Sequence, residues 1–341
     1  MSAATYAERP LRVYWEVTRA CDLACRHCRA SAQPDPHPDT LSPLAGLTLI
    51  AALARFGAPL PHLVLTGGDP LKRPDLFDLI DAARSVGFQV SLAPSATPLL
   101  TAAALWEFRD HGVSAISLSL DGSTAARHDA LRGVPGTFER TLAAAGIAAD
   151  CGLPFQINTL VCEDTVDDLP AILERVLAIG AARWSLFFLV EVGRGTVLRP
   201  VSAERAETVL EWIAALGRPQ GLVVTTTEAP QLRRLARRPA MHAAGVRDGN
   251  GILFISHTGD ICPSGFLELP AGNVRTDHVV DVYRRSPLFT ALRQPDRFGG
   301  RCGQCEFRME CGGSRARALA ATGDPLAADP LCAYEPAVRC R

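Results

Sequence analysis

Three cysteines near the start of the chain are spaced closely enough to share one metal cluster. Cys21, Cys25 and Cys28 stand four and three residues apart, directly after an apolar stretch that ends at Thr18. Thiolates are soft ligands, and they bind iron–sulfur clusters and zinc well. A cluster of four irons on three thiolates keeps one iron open for a small molecule, whereas zinc would need a fourth ligand nearby. His27 cannot easily share a metal with both neighbouring cysteines, so the spacing favours the cluster.

A second group of cysteines lies near the other end of the chain. Cys302 and Cys305 enclose two residues, and Cys311 and Cys332 follow. Four thiolates complete the coordination of a four-iron cluster or of a structural zinc, and the spacing alone does not decide between the two. The sequence from Gly251 onward is rich in Gly, Pro and Cys and has little apolar periodicity. We therefore expect metal ligation to stabilise this region.

The overall composition is that of a globular protein of about two domains. The chain has 341 residues, 48% of them hydrophobic, and 35 basic residues balance 36 acidic ones. A net charge of −1 gives no electrostatic footprint for nucleic acid. The start carries no signal peptide, and no apolar run is long enough to span a membrane. We expect a soluble cytoplasmic protein, in which the clustered cysteines among the eleven serve metal sites rather than disulfides.

Short apolar runs alternate with helical patterns in the first two thirds of the chain. The predicted strands are Val13–Thr18, His62–Thr66, Gln89–Ala93, Ala115–Leu120, Phe155–Val161 and Trp184–Val190. The predicted helices are Pro43–Phe56, Pro74–Val86, Thr101–His111, Thr137–Cys151 and Val166–Ile179. This alternation predicts an α/β fold with a parallel sheet and right-handed crossovers. Six such units can form a partial (βα)6 barrel of TIM type, whose ligands bind at the carboxyl ends of the strands.

The elements divide the chain into four predicted segments. Residues 1–11 form an N-terminal tail, and residues 12–200 form the partial barrel. Residues 201–250 are a bridging region with a helix at Ala203–Leu216 followed by irregular chain. Residues 251–341 form a small Cys-rich C-terminal domain, in which Cys340 is expected to fray.

The first cysteine group resembles the signature of the radical S-adenosylmethionine (SAM) superfamily, C-x-x-x-C-x-x-C after a first strand. The resemblance covers about Arg12 to Gly195. It implies that the three cysteines hold a 4Fe–4S cluster whose open iron binds SAM. It also implies reductive cleavage of SAM to a 5′-deoxyadenosyl radical, which abstracts hydrogen from a substrate, and a reductant such as a flavodoxin or ferredoxin. The family position before the last cysteine is usually aromatic. Here it is His27, which we expect to pack against adenine.

The same resemblance implies a turn that binds the amino group of SAM. Gly67, Gly68 and Asp69 follow the second predicted strand and are similar to the Gly-Gly-Glu motif of the family, with aspartate in place of glutamate. Glycines at a strand end let a ligand approach the backbone, whose carbonyls can accept hydrogen bonds from an ammonium group.

Polar residues at the ends of the next two strands are further candidates for SAM contacts. Ser95 and Asp121 suit ribose or carboxylate contacts. Ser119 and Arg132 resemble the family's serine and arginine for the methionyl carboxylate, which arginine can bind through two parallel hydrogen bonds. For His128 we expect a helix-surface or capping role.

The C-terminal segment, about Gly251 to Pro336, resembles the SPASM extension of radical SAM enzymes. This implies an auxiliary 4Fe–4S cluster on four cysteines, Cys302, Cys305, Cys311 and Cys332. A full SPASM domain holds two auxiliary clusters, and the other one needs a cysteine where this chain has Arg315, and another near Gly272. Only Cys262 remains of that set. We therefore expect one auxiliary cluster, with Cys262 as a packing residue.

The leading hypothesis is a maturase that acts on a peptide or a peptide-like side chain. Enzymes of this kind often carry an N-terminal leader-peptide-binding domain. Only about a dozen residues precede the first predicted strand, so we expect any such domain to be a separate partner protein. Arg194, after the sixth predicted strand, is the preferred contact for an anionic substrate.

Two alternatives remain open on the sequence. The segment CGGSRARALAATGDPLAADPLC is similar to radical enzymes of heme and modified-heme synthesis, which act on propionates. Arg194, Arg315 or Arg317 can pair with such carboxylates, so the second hypothesis is an enzyme that modifies tetrapyrrole side chains. The third is a non-catalytic zinc-ribbon binding protein, which would be colourless where an iron–sulfur protein is brown.

Overall fold

The computed structural model describes residues 6–235 and 245–337 of the chain. Its strands are β1 Arg12–Thr18, β2 His62–Gly67, β3 Val90–Leu92, β4 Ala115–Ser119, β5 Phe155–Val161, β6 Arg183–Phe188, β7 Val223–Thr227, β8 Ile252–Ile255 and β9 Ile261–Cys262. Its helices are α1 Pro43–Ala54, α2 Leu76–Val86, α3 Ala102–Asp110, α4 Ala125–Arg132, α5 Thr137–Asp150, α6 Leu169–Ala178, α7 Ala203–Leu216, α8 Leu232–Leu235, α9 Val279–Arg285, α10 Pro287–Leu292, α11 Gly300–Gln304 and α12 Arg315–Thr322. The prediction for Cys340 lies outside the described residues.

All nine of these strands belong to one sheet, in the order β7-β6-β5-β4-β3-β2-β1-β8-β9. Strands β1 to β8 pair in parallel, and only the pair of β8 with β9 is antiparallel. Helices α1 to α6 lie in the crossovers, as right-handed βαβ units require. The predicted α/β class and partial barrel are confirmed.

Three strands lie outside the six that the sequence analysis predicted, namely β7, β8 and the two-residue strand β9. Strand β7 falls in the stretch expected to be irregular, where the run Val-Val-Thr-Thr-Thr has high β-propensity. Strand β8 lies in the predicted C-terminal domain, yet it pairs with β1 from Arg12 to Trp15. The boundary drawn at residue 250 therefore separates two neighbouring strands of the same sheet. The short helix α4 was also missed.

The two faces of the sheet differ in polarity. Along β1, Val13, Trp15 and Val17 are buried in the main hydrophobic core, which contains the apolar side chains of α1 and α2. Glu16 and Thr18 point to the opposite face because successive strand residues alternate. Hydroxyl and amide side chains share that face on the following strands, namely Ser91, Ser117, Ser119 and Asn158. The concave face thus offers a polar surface next to the carboxyl edge of the sheet.

No helix in the described ranges is both long and apolar enough to cross a membrane.

Candidate active site

The three amino-terminal cysteines lie together in the loop that follows β1. Cys21 and Cys25 are buried, and Cys28 is half-buried. The N–H of Leu23 donates to the sulfur of Cys21 at 3.4 Å, and the N–H of Ala32 donates to the sulfur of Cys28 at 3.4 Å. Burial raises the pKa of the Cys21 thiol. Burial thus opposes ionisation of the thiol, whereas a metal cluster and such N–H···S bonds stabilise the thiolate. The donor set therefore fits a site for an iron–sulfur cluster.

The glycine turn after β2 packs on the backbone that leads into Cys21. A Cβ atom added at Gly68 would lie 2.3 Å from the carbonyl oxygen of Ala20, and one at Gly67 would lie 2.2 Å from that of Thr18. The N–H of Gly68 donates to Thr18 at 2.8 Å. Close approach of two chain segments therefore requires both glycines, independently of any contact with SAM.

The carboxylate of Asp69 is occupied inside the protein. It accepts hydrogen bonds from the hydroxyl of Thr97 at 2.7 Å and from the N–H of Leu71 at 3.2 Å, and burial raises its pKa. The hydroxyl of Ser95 donates to the carbonyl of Gly68 at 2.8 Å and lies 3.5 Å from the sulfur of Cys21. Asp69 and Ser95 thus hold the glycine turn against the cysteine loop. Ser95 also contacts a cluster cysteine, whereas Asp69 does not.

A charged pair lies beside the second cysteine. Arg132 forms an ion pair with Asp121, and its NH1 group lies 3.7 Å from the sulfur of Cys25. Burial opposes ionisation of Asp121, but the Arg132 guanidinium overcomes that effect and lowers the pKa of the carboxyl. The Nε atom of Arg132 is buried and has no hydrogen-bond partner among the described residues. An oriented guanidinium with a spare donor next to Cys25 is suited to bind a carboxylate.

His128 occupies a different place from the one expected. It is fully buried in α4, and its Nδ1 atom accepts the N–H of Asp121 at 3.0 Å. The prediction of a surface or capping role is therefore wrong, since the ring supports the loop that carries Asp121. His27 is half-buried, and burial lowers its pKa to about 4. Ser119 lies half-buried on the concave face at the end of β4.

Arg194 holds the cysteine loop. Its Nε donates to the carbonyl of Cys25 at 2.9 Å, its NH1 donates to that of Ala32 at 2.8 Å, and its backbone N–H donates to Cys28 at 2.9 Å. The NH2 group of Arg194 is buried and has no hydrogen-bond partner among the described residues. The structure gives the guanidinium a role in positioning the cluster cysteines, and the expected contact with an anionic substrate stays a prediction.

The four C-terminal cysteines line one pocket, together with aromatic residues such as Phe307 and Tyr334. The N–H of Gly313 donates to the sulfur of Cys311 at 3.4 Å, and the N–H of Asp329 donates to that of Cys302 at 3.4 Å. Burial raises the pKa of the Cys311 thiol to about 12. Four converging thiols with N–H donors suit a fully ligated cluster.

Two arginines near this pocket are engaged by the protein itself. Arg315 is fully buried, and its NH1 group donates to the carbonyl oxygens of Pro325 and Ala327. Arg317 forms a buried ion pair with Asp329 at 3.1 Å. The expectation that either pairs with a substrate carboxylate is therefore corrected. Cys262 is buried, and burial raises the pKa of its thiol.

The sequence analysis missed a buried ionic network at the end of β1. Glu16 is fully buried and pairs with Arg19 at 2.9 Å, with Arg29 at 3.0 Å and with His257 at 2.8 Å. Glu268 binds both arginines from the C-terminal segment. The sequence did carry one indication of this network. Glu16 lies in a predicted strand, on the face opposite to that of the apolar residues.

The comparisons with known proteins agree with this fold and site. Residues 15–176 match the family described as the Radical SAM superfamily. Two relatives are the "AdoMet-dependent heme synthase" of Oleidesulfovibrio alaskensis, 38% identical over 95% of this chain and 87% of the relative, and the "Pre-heme d1 synthase" of Dinoroseobacter shibae, 30% identical over 94% and 85%. The "PqqA peptide cyclase" of Methylocella silvestris is 28% identical over 98% and 91%.

Solved structures share the fold at low sequence identity. Streptococcus suis SuiB bound to the precursor peptide SuiA gives a TM-score of 0.75 with 16% identity, over 95% of this chain and 76% of that one. The protein anSMEcpe with bound AdoMet gives 0.73 with 14% identity, over 95% and 94%. The chain belongs to the radical SAM superfamily. It is therefore an enzyme, and the non-catalytic zinc-ribbon alternative is set aside.

Proposed function

We propose that this enzyme modifies a side chain of a tetrapyrrole in heme synthesis or a related pathway. This reverses the order of the two enzymatic hypotheses drawn from the sequence. The observation that carries it is the identity of 38% over 95% of the chain with a protein named "AdoMet-dependent heme synthase". The relative named for a peptide substrate is 28% identical.

When bound, the 4Fe–4S cluster and SAM supply a 5′-deoxyadenosyl radical that abstracts a hydrogen atom from the substrate. Within the chain, Cys21, Cys25 and Cys28 are the proposed cluster ligands. Arg132 binds the methionyl carboxylate through the donor that Asp121 leaves free. Holding the reacting groups in place, away from water, is the part of such chemistry that the protein contributes.

Further SAM contacts come from the carboxyl edge of the sheet. Gly67 and Gly68 present backbone to the amino group, Ser95 and Ser119 present hydroxyls, and the half-buried ring of His27 packs on the adenine. The neutral state of that ring, whose pKa burial lowers to about 4, removes a charge that would otherwise be buried beside Arg132.

One auxiliary 4Fe–4S cluster is proposed on the four C-terminal cysteines. Their convergence on one pocket supports it. Four protein thiolates leave no open iron, so this cluster does not bind SAM. Its role is to exchange electrons on the substrate side and to stabilise the segment after β8. An external reductant such as a flavodoxin or ferredoxin supplies the electron that starts the reaction.

Peptide maturation is the second candidate. The relative named "PqqA peptide cyclase" matches 98% of this chain at 28% identity, which supports a common architecture. A separate leader-peptide-binding protein would then be the partner. The two candidates differ in the chemistry of the substrate rather than in the radical-forming half of the enzyme.

The test is a direct comparison of the two substrate classes. The anaerobically reconstituted enzyme is incubated with SAM, dithionite and either propionate-bearing iron porphyrins or a set of candidate precursor peptides, and products are read by mass spectrometry. We expect a mass change in a porphyrin that requires SAM and is absent with the Cys25→Ala variant. Modification of a peptide with no change in any porphyrin would reject the tetrapyrrole assignment.

A further inference from the structure

A pocket of about 300 Å³ opens beside β8, at the edge of the sheet where the cysteine loop also lies. Its wall includes Arg19, His37, Cys262 and the loop after β8, which carries His257. His257 is only 4% exposed, and its Nε2 atom is buried without a hydrogen-bond partner in the described part of the chain. A buried polar atom without a partner, in a residue that lines a cavity, is costly unless a ligand supplies one.

Glu16 determines which nitrogen of His257 is free. Its carboxylate lies 2.8 Å from Nδ1 of the ring. Burial opposes ionisation of Glu16, but Arg29, His257 and Arg19 together lower its pKa to about 2. An ionised carboxylate can only accept a hydrogen bond, so Nδ1 carries the proton, and Nε2 is the nitrogen left for a ligand. The ring of His37 contacts that of His257 edge-on, with centroids 5.2 Å apart, and fixes its plane.

An imidazole whose other nitrogen is held by a carboxylate is the arrangement that proteins use to orient a metal ligand. Outside the two cysteine groups, residues 6–235 and 245–337 contain no group of three or more His, Cys, Asp and Glu side chains that could hold a metal ion. A metal bound at His257 must therefore bring most of its own ligands. An iron tetrapyrrole does so, since four ring nitrogens surround the iron and leave axial positions free.

We propose that His257 is the axial ligand of the iron in a tetrapyrrole substrate, which enters the pocket that His37 and His257 line. This inference rests on the proposed function and adds the residue that recognises the metal. The pocket adjoins the radical site, because Glu16 binds both His257 and Arg29, and Arg29 directly follows the cluster cysteine Cys28. Iron ligation at His257 thus places the ring next to the cysteine loop.

The test uses the reconstituted enzyme, kept anaerobic and oxidised, with hemin as the probe. In that state 4Fe–4S clusters give no electron paramagnetic resonance signal, so the signal of ferric heme is read directly, together with the absorption difference spectrum. We expect wild-type enzyme to give an imidazole-ligated heme spectrum. The His257→Ala variant should lose it, bind hemin roughly tenfold or more weakly, and regain it on addition of free imidazole. The matched control His37→Ala, in the same pocket, should keep it.

Three outcomes separate this inference from the proposed function. Formation of 5′-deoxyadenosine by His257→Ala without substrate verifies that its radical site is folded. If the folded variant gives the wild-type heme spectrum, His257 is not the ligand, and the inference fails while tetrapyrrole turnover by the wild type still stands. If wild-type enzyme binds neither hemin nor metal-free protoporphyrin and modifies no porphyrin, both fail. Equal affinity of the wild type for hemin and metal-free protoporphyrin also rejects iron ligation.

Discussion

The guanidinium of Arg315 donates to the sulfur of Cys302 at 3.5 Å, from the position where the full SPASM pattern has a cluster cysteine. The side chain is fully buried and lies over the ring of Phe298, 4.5 Å from its centroid. A position that elsewhere supplies a thiolate therefore supplies a positive charge here. Positive charge and N–H···S bonds favour the reduced, more negative state of a cluster.

Replacing this arginine should make the auxiliary cluster harder to reduce. For Arg315→Gln we expect the midpoint potential to fall by at least the amount of a tenfold change in the reduction equilibrium, about 59 mV for one electron. The measurement is a redox titration followed by electron paramagnetic resonance. The control Arg297→Gln removes an exposed arginine that bonds Gln294. An unchanged potential in Arg315→Gln with full iron content would show that Arg315 does not tune the cluster.

Gly68→Ala should lower the iron content of the SAM-binding cluster. The added Cβ would lie 2.3 Å from the carbonyl oxygen of Ala20, next to Cys21, so the cysteine loop must shift. The control is Gly146→Ala in α5, where a Cβ atom meets nothing within 4 Å. Alanine favours a helix over glycine by about 1 kcal/mol, so this variant should be at least as stable as the wild type. Normal iron content with weakened SAM binding in Gly68→Ala would restore the simpler interpretation, in which Gly68 only makes room for SAM.

Arg194→Gln should affect the cluster rather than the substrate. Because the guanidinium holds the carbonyl groups of Cys25 and Ala32, we expect lower iron loading and faster cluster loss in air. If positioning the cysteine loop is the whole role of Arg194, the KM for the substrate should stay within about twofold in the loaded fraction. The control is Arg127→Gln, which alters a mostly exposed arginine. A large increase in KM at full iron loading would return Arg194 to the substrate site.

The cysteine spacing and the strand–helix alternation were enough to predict the class and the barrel. Both are local patterns: three cysteines within eight residues, and apolar runs of strand length. Strand β8 was not predicted. Its four apolar residues in a Gly-rich region are compatible with a buried strand, but they do not reveal which strand it pairs with. Its partner is β1, about 240 residues earlier, and only the fold brings the two together.

The roles of polar residues were harder to predict, because one side chain suits several partners. Arg194 and Arg315 were expected to bind carboxylates, as arginine often does, yet carbonyl oxygens and cysteine atoms engage them in the fold. His257 drew no attention in the sequence, since a single histidine in a loop carries no spacing signal. What distinguishes His257 is its hydrogen bond with Glu16, which lies 241 residues away in the sequence.

Glu228 should make the stability of the protein depend on pH. It follows β7, accepts a hydrogen bond from Ser314, and has a positive φ of 57°. Burial, followed by the nearby Asp248, raises its pKa to about 8 from the ordinary value of 4.5. The native state therefore holds a proton that the unfolded state loses above pH 4.5, and the stability linked to this proton is lost as the pH rises from about 4.5 through about 8.

The variant Glu228→Gln should remove that dependence. It keeps a hydrogen-bonding side chain without the charge, so its free energy of unfolding should exceed that of the wild type by a few kcal/mol at pH 9 and differ little at pH 5. Urea unfolding at the two pH values, followed by circular dichroism, measures this difference. The control Glu211→Gln changes an exposed glutamate of α7. Parallel pH profiles for wild type and Glu228→Gln would mean that Glu228 is ionised in the native state.

The most direct test of the account is the origin of the hydrogen atom that ends on 5′-deoxyadenosine. The enzyme is incubated with SAM, dithionite and an iron porphyrin whose propionate side chains are fully deuterated. We predict that mass spectrometry will show deuterium in 5′-deoxyadenosine from the wild type, and no 5′-deoxyadenosine from Cys25→Ala. Undeuterated 5′-deoxyadenosine, formed at the same rate with and without the porphyrin, would contradict the assignment of a tetrapyrrole side chain as the substrate.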